Sequence, residues 1–248
     1  ARKSQAAALW WRGNVARGAH WRAPTALSCV PRRLVRPEGG SASLARATEL
    51  VERFIAEALA LLGDTPLNAL VNNDAVSPKT DFQERLGCLN GPLDDWREVF
   101  QLNFFTPLLL ARGFAPALAR AGKGEEDAGS APQTDGGASI INITSIAGHA
   151  IHPFAGSAYS TSKAALSALT REMAVEFAEL GVRVNAVAPG EIETEMVGDE
   201  YEPMVNRIPM HRMGTAGEVA STVFQLCNPD FSYVTGTEIF ITGGQHLY

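Results

Sequence analysis

Hydrophobic and polar positions settle into regular patterns from about Ser41 onward. Leu44, Leu50, Val51, Phe54, Ile55 and Leu59 recur at roughly helical spacing, which predicts an amphipathic helix stopped by Gly63. Ala69-Leu70-Val71 is a short apolar run that reads as a buried strand ending in Asn72-Asn73. Trp96, Val99, Phe100 and Leu102 then predict a helix that runs through Asn103 to about Arg120. Residues 121–137, rich in glycine and acid, predict a surface loop. A buried strand over 139–144, a helix over 159–179 and a strand over 182–188 follow, the last stopped by Pro189-Gly190. Residues 191–213 read as a long connection, and a helix over 216–227 and a strand over 238–242 close the pattern. Strands alternating with helices imply βαβ units and a mostly parallel sheet, so the fold class is α/β. The length and the 46% hydrophobic content suit a single domain over 1–248.

Residues 1–40 are composed differently. They hold eight Lys/Arg against one acid, Glu38, so they carry +7 while the whole chain is -6. They also contain Trp10, Trp11 and Trp21, three of the four tryptophans. The remainder is strongly acidic, which argues against nucleic-acid or anionic-membrane partners. No uninterrupted apolar run reaches the roughly 18 residues of a membrane span. Cys29, Cys88 and Cys227 match no metal-ligand spacing and read as reduced structural thiols, so a cytoplasmic location and no metal site are expected.

Tyr159 and Lys163 are four residues apart on a predicted helix and project from one face. An ammonium beside a phenol favours the phenolate, which is what a tyrosine acid/base needs near neutral pH. Ser145 lies just past the carboxyl end of strand 139–144, where open parallel sheets bind ligands. Asn72-Asn73 also ends a strand. Asn103 sets an amide among Phe100, Leu102, Phe104 and Phe105, where burial demands a partner. Pro189-Gly190 follows a further strand, and a glycine there lets the backbone approach a flat ring.

Together these residues resemble the short-chain dehydrogenase/reductase family over about residues 41–248. Asn72-Asn73-Asp74-Ala75 stands where the family has Asn-Asn-Ala-Gly. Its catalytic tetrad maps onto Asn103, Ser145, Tyr159 and Lys163. Its Pro-Gly-x-x-x-Thr element maps onto Pro189, Gly190 and Thr194, and Ile241-Thr242-Gly243-Gly244 is similar to its last strand and ending. The resemblance implies a Rossmann-like doubly wound parallel sheet and hydride transfer between NAD(P)(H) and a carbonyl or alcohol. Tyr159 would be the acid/base. Lys163 would bind the nicotinamide ribose and lower the Tyr159 pKa. Ser145 would polarise the substrate oxygen, and Asn103 would hold a water linking Lys163 to solvent. Asn72, Asp74, Ala75, Pro189, Gly190, Ile192 and Thr194 would line the cofactor, with Thr194 on the carboxamide. A homotetramer or homodimer is also implied.

The family's opening strand and its Thr-Gly-x-x-x-Gly-x-Gly loop, which holds the pyrophosphate at a helix N-terminus, are not found. Three readings of residues 1–40 stand: a divergent cofactor half, an Arg-rich targeting segment, or a stretch read in a shifted frame. In the last, Leu9-Trp10-Trp11-Arg12-Gly13 written CTG TGG TGG CGG GGN yields Val-Val-Ala-Gly from the third base, similar to the family's Leu-Val-Thr-Gly opening. The alternative to an enzyme is therefore a dehydrogenase-like scaffold with impaired cofactor binding. The excess of arginine leans toward NADP(H) over NAD(H). His149, His152, Phe154, Met196, Tyr201 and Met210 are candidates for the substrate pocket. The 121–137 insertion and the wide Asn73–Asn103 interval resemble pteridine reductases, which often carry Asp where Ser145 stands.

Overall fold

The computed structural model describes residues 26–28, 44–78, 85–122, 137–193 and 202–248. Among them, five parallel strands form one sheet in the order β1 (Ala26–Ser28), β2 (Ala69–Asn72), β3 (Ala138–Ile143), β4 (Val182–Pro189) and β7 (Glu238–Ile241). A separate pair, β5 (Ile192–Glu193) and β6 (Gly214–Thr215), lies within and just beyond the stretch expected to be an irregular connection. β1 was not expected either; it pairs with β2 in the register Ala26↔Ala69, so the atypical segment supplies one strand to the sheet. All six residues of β3 are buried, as a parallel strand covered on both faces must be. Leu70, Ile140 and Val184 pack toward one layer of helices, while Ile141, Val187 and Leu226 form the core of the other. The sheet is therefore doubly wound.

The first layer contains α1 (Leu44–Leu62) and the rod Leu93–Gly122. α1 buries Ala47, Val51, Ile55, Ala58 and Leu62, a narrower seam than the large side chains suggested. Leu50, Phe54 and Leu59 are half-buried at its edge. The alanines permit close approach, and so does Gly113 opposite, where a Cβ would fall 2.6 Å from Ile55 Cδ1. The rod is not one regular helix: α2 (Leu93–Phe100) and α3 (Thr106–Gly122) are joined by a π-helical turn at Gln101–Phe105. The rod is long and apolar enough to cross a membrane by length and composition, with an 18-residue stretch of mean hydropathy 1.2, but half of that stretch is buried inside the fold. Its Phe114 has no exposed surface and meets Phe54 edge-on. That is the pattern of a core helix.

α4 (Ser157–Ala178) belongs to the same layer. A short helix, α5 (Glu202–Val205), follows β5, and α6 (Ala216–Cys227) covers the other face. A reciprocal cap between Thr215 and Glu218 starts α6, and the buried Arg183 guanidinium donates to the Leu226 carbonyl at 2.7 Å near its end. This is a favourable place for a cation, at the negative end of the helix dipole.

Gly181 turns α4 into β4 with φ +70°, and a Cβ there would lie 2.4 Å from the Gly122 carbonyl oxygen. Both the left-handed backbone and the overlap oppose any larger residue. Gly181→Ala is expected to destabilise the fold by about 3–5 kcal/mol, the sum of backbone strain and overpacking. The urea midpoint measures it, and an unchanged midpoint would contradict the contact.

Candidate active site

α4 carries the centre of the site, and its buried face explains why its hydrophobic pattern is weak. That face runs Ala158, Ser162, Lys163, Leu166, Ser167, Thr170, Met173, Ala174, Phe177. The far half is apolar core. The near half buries four polar side chains, each with a partner. Ser162 accepts from Asn103 Nδ2 at 3.1 Å, Lys163 donates to the Ile143 carbonyl at 2.5 Å, and Ser167 donates to Glu238 at 2.5 Å. Thr170 accepts from Asn142 at 2.9 Å. Asn142 in turn accepts from Asn72 at 2.8 Å across the β2–β3 register pair Asn72↔Asn142. A buried polar network of this kind holds one arrangement because each broken link strands a desolvated group.

Ser145, Tyr159 and Lys163 come together at the carboxyl end of β3. Ser145 caps the 3₁₀ turn Ile146–Gly148 by accepting from the Ala147 amide at 3.1 Å, and its hydroxyl also hydrogen-bonds the Tyr159 phenol. The Lys163 ammonium stands 5.7 Å from the centre of the Tyr159 ring. Burial pushes the Tyr159 pKa up from 10.0; the Ser145 hydrogen bond opposes this and the Glu191 charge adds to it. Burial also lowers Lys163 to about 8, against an upward pull from Asp74. The low Tyr159 pKa that the resemblance implies is not found: the net shift is upward, and burial is its largest cause. Desolvation of the phenolate outweighs the neighbouring ammonium. At pH 7 Tyr159 is the neutral phenol, the form that can give a proton. The tyrosinate absorbance of the wild type minus that of Tyr159→Phe is expected to rise with a midpoint above 10.0; a midpoint below it would contradict this ordering.

Asn103 lies in the π-helical turn with no exposed surface. Its Oδ1 accepts from the Val76 amide at 2.9 Å, and its Nδ2 donates to the Val76 carbonyl at 3.0 Å and to Ser162. The side chain therefore clamps the segment after Asp74-Ala75 to α4, with both Nδ2 hydrogens committed. Its carbonyl is a different matter. Residue 107 is a proline with no N–H, so the ordinary α-helical bond to the Asn103 carbonyl cannot form. π-helical insertions of this sort often mark functional positions.

The remaining expected residues divide. Asn72 is buried at the end of β2, and Asp74 lies within electrostatic range of Lys163. Pro189 ends β4, Gly190 follows with its amide on the Ile241 carbonyl at 2.9 Å, and Ile192 enters β5. Thr194, Met196 and Tyr201 fall outside the described residues. Met210 is 60% exposed. His149 is drawn to Glu238 at 3.0 Å and rests on the edge of the Phe240 ring, so its partners are on β7. His152 pairs with Glu191 at 2.5 Å, and Phe154 sits beside its ring. Sequence reasoning missed Asn142, Ser162, Thr170, Glu191 and Glu238. The interruption of Ile140-Ile141-Ile143 by an asparagine was the available signal for Asn142.

A parallel sheet covered by helices on both faces, with a serine, a tyrosine and a lysine gathered at its carboxyl edge, defines a Rossmann-type α/β protein. A family model described as enoyl-(acyl carrier protein) reductase matches residues 45–246. Protein FixR of Bradyrhizobium diazoefficiens is 49% identical over 199 residues, which are 80% of this chain and 66% of FixR. The uncharacterized oxidoreductase YohF of Escherichia coli is 34% identical over 182 residues, 72% of this chain and 64% of YohF. A crystal structure of a short-chain dehydrogenase/reductase-family oxidoreductase from Brucella ovis, in complex with a partially ordered NAD, superposes with a TM-score of 0.59 at 41% identity. That match covers 84% of this chain and 75% of the Brucella chain. The chain belongs to the short-chain dehydrogenase/reductase family. It spans just under two thirds of the length of FixR and YohF.

Proposed function

We propose that the protein moves a hydride between a nicotinamide cofactor and a carbonyl or alcohol substrate, with Tyr159 as acid/base. The observation that carries this reading is the convergence of the Ser145 hydroxyl, the Tyr159 phenol and the buried Lys163 ammonium where β3 ends. When bound, the nicotinamide supplies or takes the hydride. The residues present suit its ribose. An ammonium has three N–H donors, and among the described residues only the Ile143 carbonyl takes one from Lys163. Two are left for a pair of vicinal hydroxyls. Pro189, Gly190 and Ile192 would border the ring, Thr194 its carboxamide, and Asn72, Asp74 and Ala75 the adenosine side.

In carbonyl reduction Tyr159 donates its phenolic proton to the substrate oxygen, and Ser145 donates a hydrogen bond to the same oxygen and orients the phenol. The phenolate that forms is stabilised by the nearby Lys163 ammonium, an effect that grows in a water-excluded site. Lys163 can then return a proton to Tyr159. The Asn103 carbonyl, deprived of its helical donor by Pro107, is the group suited to hold the water that refills Lys163. In alcohol oxidation the same protons run backwards.

The excess of arginine in residues 1–40 favours NADP(H) over NAD(H). The pteridine-reductase-like reading rests only on the 121–137 insertion and the Asn73–Asn103 interval. A cytoplasmic homo-oligomer is the assembly expected. The scaffold alternative is not favoured by the family relationships. The deciding experiment is a fluorescence titration with NADPH and, separately, NADH. Saturable binding that weakens in Lys163→Ala supports the reading, and no binding of either at millimolar concentration overturns it.

A further inference from the structure

Part of the long Asn73–Asn103 interval returns to the helix that carries Tyr159, and the acid/base chemistry makes no use of it. Tyr159 is the third residue of α4, so it stands in the first turn. A first turn is the weakest part of a helix, because its amides have no intrahelical acceptors. Gly156, at the cap position, offers no side chain to hold them. The loop that starts at Arg85 supplies the missing support. The Ser157 amide donates to the Leu86 carbonyl at 2.9 Å. Arg85 Nε donates to the Ala155 carbonyl at 2.6 Å, and its Nη2 donates to Ser157 Oγ at 3.3 Å. A Cβ on Gly156 would fall 3.3 Å from the Leu86 carbonyl oxygen, so the loop occupies the space that a capping side chain would need. Leu86, Gly91, Gly156 and Tyr159 line one small cavity, which puts the loop against the tyrosine itself.

The loop is built to hold its shape. The Gly87 amide donates to Asn90 Oδ1 at 2.6 Å and the Gly91 amide to the Gly87 carbonyl at 3.0 Å, so residues 87–91 close on themselves. A Cβ on Gly91 would meet that carbonyl oxygen at 2.7 Å, so the closure needs glycine. Charge does not explain Arg85, because a cation near the start of a helix faces the positive end of the dipole. What the residue contributes is a rigid fork of N–H donors, aimed at the residues on either side of Gly156. We infer that Arg85 is a positioning residue for Tyr159, clasping with Leu86 the first turn of α4 so that the phenol stays against Ser145. Without the clasp the turn frays from Ser157 inward, and a misplacement of about 1 Å in a reacting group is enough to cost about a hundredfold in rate. The link to catalysis rests on the hydride-transfer reading, but the clasp does not.

Two readouts on the full chain need no substrate. The first is amide exchange by NMR in the wild type, Arg85→Ala and Arg85→Lys. In Arg85→Ala the amides of Ser157 and Ser160, bonded to Leu86 and Gly156, should exchange about tenfold faster or more. Those of Met173 and Phe177, in the far half of α4, should not change. The second is the tyrosinate titration of Tyr159, taken as Arg85→Ala minus Arg85→Ala/Tyr159→Phe. A frayed turn exposes the phenol, so the midpoint should fall from its wild-type position toward 10.0. Millimolar guanidinium should restore both readouts, and the same concentration of sodium ion should not. Arg85→Lys keeps the charge and lacks the fork, so it should recover little of the loss, and it remains readable if Arg85→Ala does not fold. With NADPH and ethyl 3-oxobutanoate, kcat in Arg85→Ala should fall by about tenfold to a hundredfold while cofactor affinity holds. Unchanged exchange at Ser157, a rise shared equally by Phe177, or an unmoved midpoint overturns the inference. A kcat kept within about twofold breaks the link to Tyr159. If the wild type binds neither NADPH nor NADH, hydride transfer fails, while faster exchange at Ser157 with a lowered midpoint still upholds the clasp.

Discussion

Tyr159→Phe is expected to lower kcat/KM for any substrate of this protein by about 10³-fold or more, within the range that positioned acid/base groups contribute. The substitution removes one oxygen atom. It leaves the α4 face, the Lys163 bond to Ile143 and the Asn103 clamp in place, because none of them uses the phenolic oxygen. The loss is then chemical and not structural. Cofactor affinity should change by no more than about tenfold, the worth of one neutral hydrogen bond. Ser145 still caps its turn through the Ala147 amide, so the thermal midpoint should move little. Parallel steady-state kinetics and fluorescence titration make the test. A variant that keeps more than about a tenth of wild-type turnover would remove Tyr159 from the acid/base role, since general acid–base groups rarely contribute so little.

Lys163→Met is expected to produce the opposite combination, a protein more stable at neutral pH and nearly inactive. Lys163 is 2% exposed, and burial lowers its pKa from 10.5 to about 8. That difference corresponds to about 3 kcal/mol of strain on the charged form. The sign follows from proton counts. Between pH 8 and 10.5 the unfolded chain holds this proton more often than the folded one, so wild-type stability rises with pH across that window. The full penalty is present below about 8. Met removes the charge and keeps the length. It also loses the bond to the Ile143 carbonyl and leaves Asp74 without a nearby cation, so the net gain at pH 7 should be about 1–2 kcal/mol. The gain should vanish above pH 10.5. Denaturant unfolding at pH 7 and at high pH measures both. A destabilised Lys163→Met at pH 7 would mean that its hydrogen bond and Asp74 outweigh burial. Such a result would identify the residue as part of the fold's support and not as a strained functional group.

The helix over Leu44–Leu62 was legible because its apolar period is clear, yet which residues form its seam was not. Ala47 and Ala58 look unremarkable in a sequence; they matter because α3 presents Gly113 opposite Ile55. The run 139–144 was legible as a buried strand, but the role of Asn142 depends on Asn72 and Thr170, 70 and 28 residues away. α4 shows the limit in another form. Its buried face is half polar, so periodicity alone understates it, and only the partners of Ser162, Lys163, Ser167 and Thr170 explain why they can be buried. His149 and His152 looked equivalent as pocket candidates. Glu238 draws one toward β7 and Glu191 holds the other at the turn after β4, and neither acid stands near its histidine in the chain.

The sequence by itself determined the alternation of strands and helices, the α/β class and the shared helix face of Tyr159 and Lys163. Period and spacing along one chain are local quantities, and residues four apart on a helix share a face whatever the rest of the fold does. Tertiary structure alone decided that β1 joins the sheet beside β2 and that Asn103 spends its side chain on Val76. It also decided that burial is the largest influence on the Tyr159 pKa. These outcomes depend on which distant groups displace water from one another, and desolvation is a property of the assembled interior that no single segment carries.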